Sequence, residues 1–409
     1  MSASLLCVYI YWSYIRGVNA KLMLVVILVS LVMQMISARH FVFHLSKYQF
    51  LFAAIIFLSS VGALYSSNAS SGLRFVMQLC LAFAVYTLIV DSQDLLGVIF
   101  RVTCISGMVA VLAILLQVAF PDWMLQVSEL LIKTDAYAMT RTLYSYNYYT
   151  GLSGFNCLAG FYAASMLGVF GILSLKETRI AKRLLFAAFA FISLFALIAT
   201  QKRGVFLSAV IAFFFAMASY YLFKRNYRKI LQFLLIILLV GTAVYIVMNQ
   251  TEAGAVMLKR FHDSANFMSG RDDIYEALLS GIWQNPLLGH GTGSMYSVYD
   301  GAAHNIYLQI LYDHGAIGLL LYVGFFLTPL IRGLSHIRAG RATARFYISV
   351  YIQVLFLCYG MTGNPLYDFC LFILYLLFVL MTESDISHGM KVYDATEKEN
   401  CDSYLSQRC

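Results

Sequence analysis

The stretches GVFLSAVIAFFFAMASYYLF (residues 204–223) and ILQFLLIILLVGTAVYIVM (residues 230–248) contain no Asp, Glu, Lys or Arg. Each is close to the roughly 20 apolar residues that a helix needs to cross a bilayer. The rest of the chain agrees: of 409 residues, 61% are hydrophobic and only 12% are charged, against about 25% charged in a typical soluble domain. No soluble fold of this length could cover so much apolar surface. A β-barrel would instead carry short segments of alternating hydrophobicity. The chain therefore reads as all-α, a polytopic integral membrane protein.

Working outward from these two runs, apolar segments predict spans near 3–16, 20–37, 48–65, 74–90, 98–120, 151–175, 184–200, 204–223, 230–248, 316–332, 346–362 and 366–381, about twelve transmembrane helices in all. Arg16 cuts the first of them short, and it lacks the basic leader and cleavage site of a removed signal. Lys and Arg gather in the short loops KETRIAKR (176–183), KRNYRK (224–229) and RGLSHIRAGRATAR (332–345). With these spans all three loops fall on one face, which the positive-inside rule makes cytoplasmic. Both termini share that face. Residues 1–381 form a single membrane domain, and the polar stretch 382–409 reads as a disordered cytoplasmic tail. The eight cysteines show no CxxC spacing and none lies in a long polar loop, so neither a disulfide framework nor a metal site is expected.

Two long segments, 121–150 and 249–315, fall on the opposite, outer face. In RDDIYEALLSGIWQ (271–284), Ile274, Leu278 and Ile282 make one stripe, and Tyr275, Leu279 and Trp283 a second beside it, as in an amphipathic helix. Ser269 and Asp272 give an S-x-x-D start signal. NPLLGHGTG (285–293) ends that helix in a glycine turn that needs positive φ. HNIYLQILYD (304–313) predicts a short surface helix, broken by Gly315, with a spanning helix from about Ala316. Asp313 and His314 then belong to a corner and not to the lipid phase.

Several outer residues carry candidate chemistry. TQKRG (200–204) puts Lys202 and Arg203 in a short outer connector, against the positive-inside bias. Arg203 suits a bound phosphate, because its guanidinium fork grips two oxygens; the alternative is a hairpin whose cations snorkel to water. Arg141 and Arg271 add outer charge. His304 can be a general base, since a pKa near 6.5 suits proton transfer at neutral pH; equally it can simply start a helix. Asn305 reads as a helix cap more than as a sugar contact. YSYNYYT (144–150) reads as an interfacial aromatic belt more than as a sugar platform. Metal sites need three or four converging ligands, and no histidine pairing supplies them.

HNIYLQILYDHGAIG (304–318) resembles the H-N-x-Y-L-x-x-L-x-x-x-G-x-x-G pattern of the O-antigen ligase and O-antigen polymerase superfamily. SGRDDIYEALLSGIWQNPLLGHGTG (269–293) looks like that family's outer helix and P-x-x-G-x-G turn, and TQKRG like its outer connector with a functional Arg. The resemblance implies a glycosyltransferase on the periplasmic face of the bacterial inner membrane, with no cofactor and no metal. Its donor would be an undecaprenyl-diphosphate-linked glycan. Its acceptor would be a lipid-linked repeat unit in a polymerase, towards which the aromatic-rich composition leans, or the lipid A–core in a ligase. The resemblance further implies Arg203 and Arg271 on the diphosphate and His304 at the acceptor hydroxyl; Lys202, which the family pattern does not explain, Arg141, Asn305 and Tyr307 are further candidate substrate contacts. A chain-length regulator is a further partner of such a polymerase; no nucleic acid is. A secondary transporter of an anionic solute is the competing class. It predicts ionisable groups near the bilayer midplane, whereas here the polar constellation gathers at the outer surface.

Overall fold

The computed structural model describes residues 2–18, 20–37, 46–90, 92–222, 249–262, 271–299 and 303–386, with scattered positions between 231 and 246. Among these the chain is all-α; its one β feature is an isolated bridge between Ile15 and Ile132. Among the described residues, eight helices, from Lys47–Leu64 to Phe369–Ile386, are long and apolar enough to cross a membrane, so the protein is multi-pass. Ala344–Gly360 is a shorter apolar helix, and Ala20–Ser37 matches the expected bounds of its span. The first expected span stops early. Helix Ser2–Trp12 has 11 residues, about 16 Å of helix, roughly half the hydrocarbon thickness. The expected span 230–248 and the tail beyond Ile386 lie largely or wholly outside the described residues.

Helices Asn156–Lys176 and Phe369–Ile386 form the centre of the bundle, with 83% and 94% of their apolar windows buried, whereas Ile180–Ala199 is 22% buried and faces outward. Small residues make the close packing possible, as in membrane helices generally. The Tyr351 ring sits against Gly168, and its hydroxyl donates to the Ala164 carbonyl at 2.8 Å. Phe213 packs on Gly171, where an added Cβ would lie 3.1 Å from the ring.

The two ends of the bundle differ in character. At the basic-loop end, Arg332 pairs with Glu383, and Arg345 with Asp385 at 3.5 Å. Lys176 Nζ lies 4.0 Å and 3.9 Å from the ring centres of Tyr220 and Tyr347. These pairs hold the last helix beyond its expected end at 381, out to Ile386. At the other end the segment 121–150 folds into two short helices, Pro121–Leu131 and Thr134–Ser145. Lys133 Nζ donates to the Ser13 carbonyl at 2.6 Å, which ties this segment to the end of the first helix.

Helix Asp272–Gln284 buries Ile274, Leu278 and Ile282 and leaves Leu279 and Trp283 exposed. Its N-cap is Arg271, with no side-chain cap bond; Ser269 of the expected capping pair lies outside the described residues. The turn after it has Gly289, Gly291 and Gly293 at φ 71°, 97° and 81°. Beyond a one-turn helix, Met295–Val298, the helix Ile306–Arg338 is broken at Gly315, with φ 61° and ψ −166°. A break strands backbone groups that must find other partners, and the glycine turn supplies them. His290 N and Gly291 N donate to the Tyr312 and Asp313 carbonyls at 2.9 Å each, and Ala316 N donates to the Pro286 carbonyl at 2.8 Å. The Asp313 carboxylate accepts from Gly293 N and Met295 N at 3.0 Å and 3.1 Å. Asp313 and His314 are buried within the protein at this corner, and Asp313 straps the turn to it.

Candidate functional site

Three helix starts meet at the end of the bundle away from the Arg332–Glu383 pair. Lys202 and Arg203 open helix Arg203–Leu222, Arg271 caps helix Asp272–Gln284, and His304 immediately precedes Asn305, the N-cap of the helix from Ile306. The loop after Gly360 joins them. Arg271 Nη1 donates to the Thr362 carbonyl at 3.1 Å, and Gly204 packs against the Thr362 side chain. Lys202 lies over Gly160, where an added Cβ would come within 3.3 Å of its Cβ. Positive ends of helix dipoles and cationic side chains thus face one region, an arrangement suited to an anion. Asp272 and Asp273, exposed in their helix's first turn, offset only one of the three ends.

His304 is half-buried, and its pKa is pushed down to about 4, first by burial and then by the charges of Arg271 and Lys202. It is therefore neutral at physiological pH, with a lone pair to offer. Its backbone is left-handed, at φ 55°, so it does not begin the helix as the sequence led us to expect. The other positive-φ residues besides glycine, among those described, are Asn147 and Gln201 at 59° and 57°. Tyr149 N donates to the Ala199 carbonyl at 3.2 Å, which brings the 144–150 segment beside the 200–204 connector. Such backbone costs of order 1 kcal/mol or more per residue and collects at functional sites.

The remaining candidates divide. The Asn305 carboxamide oxygen accepts from Tyr307 N and Leu308 N at 3.0 Å and 3.2 Å, which is the cap reading. The Tyr307 hydroxyl donates to the Leu357 carbonyl at 2.8 Å. Arg203 is half-buried at its helix start. Arg141 stands exposed on helix Thr134–Ser145, and among the described residues no hydrogen bond or ion pair ties it to the His304 cluster. The aromatic segment is partly exposed, with Tyr144 and Tyr149 rings 6.0 Å apart. No three of His, Cys, Asp and Glu gather among the described residues.

Sequence reasoning missed the loop that closes the site. Thr362 receives Arg271, and Asn364 Nδ2 donates to the buried Gln309 at 3.3 Å. Asp368 accepts from Cys370 N and Leu371 N at 3.1 Å and 3.3 Å, so it caps the last helix, and burial pushes its carboxyl up to about 6. The signal available was a lone Asp before an apolar run, the usual mark of a helix start.

No curated protein matches the chain. Residues 187–323 match the family model described as O-antigen ligase. That segment holds Lys202, Arg203, Arg271, His304 and the Gly315 corner, and leaves the helices before and after it outside the match. The match spans about a third of the chain and makes that segment similar to the O-antigen polymerase and ligase superfamily.

Proposed function

We propose that the protein is a periplasmic-face glycosyltransferase of the bacterial inner membrane that polymerises undecaprenyl-diphosphate-linked repeat units. The matched family supports O-antigen polymerase or ligase activity in general terms. The observation that carries the finer reading is a neutral His304 held beside Arg271 and Lys202 at the meeting of three helix starts. A transfer of this class forms a bond from the acceptor oxygen to the anomeric carbon and breaks the bond from that carbon to the diphosphate. The acceptor hydroxyl gives its proton to His304. The lipid diphosphate leaves as an anion against Arg203, Arg271 and Lys202, whose fixed charges stabilise the negative charge as it develops. The bound diphosphate also offsets the cations that depress His304, so the histidine is a stronger base with donor in place than without it. Transfer to lipid A–core would use the same site with a different acceptor.

The test is glycan transfer per membrane-inserted molecule for His304→Ala and His304→Gln. General-base roles contribute about 10²–10⁴-fold, so Ala should lose that factor and Gln nearly as much. A positioning role would leave Gln largely active. Full specific activity in both variants overturns the assignment.

A further inference from the structure

Beside the glycine turn lies a cavity of about 560 Å³, lined by Tyr65, Ser67, Asn285, Leu288, His290 and Tyr312 among others. Its volume is within the usual range of small-molecule sites, roughly 300–1,000 Å³. We propose that it is a subsite for a neutral sugar ring of the glycan, a reading that rests on the proposed transferase function.

The walls are built before any ligand arrives. The His290 ring stacks on Tyr312, with centroids 4.5 Å apart and planes at 20°. His290 Nε2 lies 2.8 Å from the Gly281 carbonyl, which can only accept, so Nε2 carries a proton. Nδ1 then accepts from Asn285 Nδ2 at 3.3 Å. That leaves the Asn285 carboxamide oxygen and one of its N–H bonds open on an exposed residue. The Tyr65 hydroxyl donates to the Leu288 carbonyl at 3.0 Å and fixes the opposite wall. Such a preformed surface binds without the entropy cost of ordering itself.

The chemistry selects the ligand. The exposed Tyr65 ring and the partly exposed His290 ring, backed by the buried Tyr312, can meet the C–H faces of a sugar ring, while an amide edge and the Ser67 hydroxyl meet its hydroxyls. Among the described residues, no carboxylate, ammonium or guanidinium lines the cavity, so neither an anion nor a cation is favoured. Leu64, Trp283, Leu287 and Leu288 are exposed beside it, an apolar rim that suits a glycan carried at a membrane surface. Tyr312 lies six residues along the helix from Ile306, about 9 Å by helical rise, so the cavity is near enough for a residue of the same glycan that reacts at His304.

The test uses the full chain in lipid nanodiscs. The probe is the water-soluble oligosaccharide released by mild acid from the producing cell's surface glycan, observed by saturation-transfer NMR. Asn285→Ala and Tyr65→Ala change exposed side chains, and each should weaken binding about tenfold, the equivalent of one or two lost contacts. Transfer by these variants should suffer mainly in KM. Oligosaccharide binding equal to wild type in both variants overturns the subsite, even if transfer is intact. Oligosaccharide binding that needs Asn285, in a wild-type protein that transfers no glycan, instead overturns the transferase reading and leaves the subsite standing. His304→Ala should bind the oligosaccharide normally and transfer glycan about 10²–10⁴-fold more slowly.

Discussion

Acidification to pH 5 separates the His304 environment described above from an ordinary histidine. With a pKa near 4, about 90% of His304 stays neutral at pH 5, whereas a histidine at 6.5 would be about 3% neutral. If the neutral ring is the base, kcat/KM at pH 5 should keep most of its value at neutral pH; an unperturbed base would lose about thirtyfold. The assay is kcat/KM for glycan transfer against pH, because that ratio reports the free enzyme, while kcat reports the enzyme with substrate bound. The acid limb of kcat should lie above that of kcat/KM, since the diphosphate offsets Arg271 and Lys202. Histidine NMR adds a direct readout: Arg271→Gln and Lys202→Met should each raise the His304 midpoint. A kcat/KM limb with a midpoint between 6 and 7, unmoved by either substitution, would refute the reasoning.

Three further outcomes follow from the same geometry. Arg203→Lys and Arg271→Lys keep the charge and lose the bidentate fork; each should cut transfer by about tenfold or more, one to two charge-assisted hydrogen bonds, with normal membrane insertion, and wild-type rates in both would remove the diphosphate role. Asp313→Ala leaves Gly293 N and Met295 N without their acceptor and should destabilise the protein by about 1–3 kcal/mol per unsatisfied buried group, seen as a lower unfolding midpoint in detergent; an unchanged midpoint argues against the strap. In a cysteine-free background, a membrane-impermeant maleimide added from the periplasmic side should label Ser297→Cys, whose position is exposed, and should not label Ser335→Cys; labelling of the second alone inverts the orientation.

The local signals in the sequence were enough for the class of the protein and several of its landmarks. Hydropathy is a sum over neighbours in the chain, so the spanning runs were legible without any contact map. The Gly315 break and the positive-φ glycine turn were legible for the same reason, since a missing Cβ acts at its own residue. Asn305 as a cap was also within reach, because its partners lie two and three residues away. The tertiary structure alone decided what depends on approach through space. It brought Lys202, Arg271 and His304 to one place, turned Asp313 into a strap, and supplied Thr362 and Asp368 from a loop that the sequence reading passed over. It also ended the first helix at Trp12 and extended the last to Ile386, where ion pairs with distant helices hold it. Burial and Coulomb interaction act across distances in space and are blind to separation along the chain, so the depressed pKa of His304 could be read only after the fold had set its neighbours.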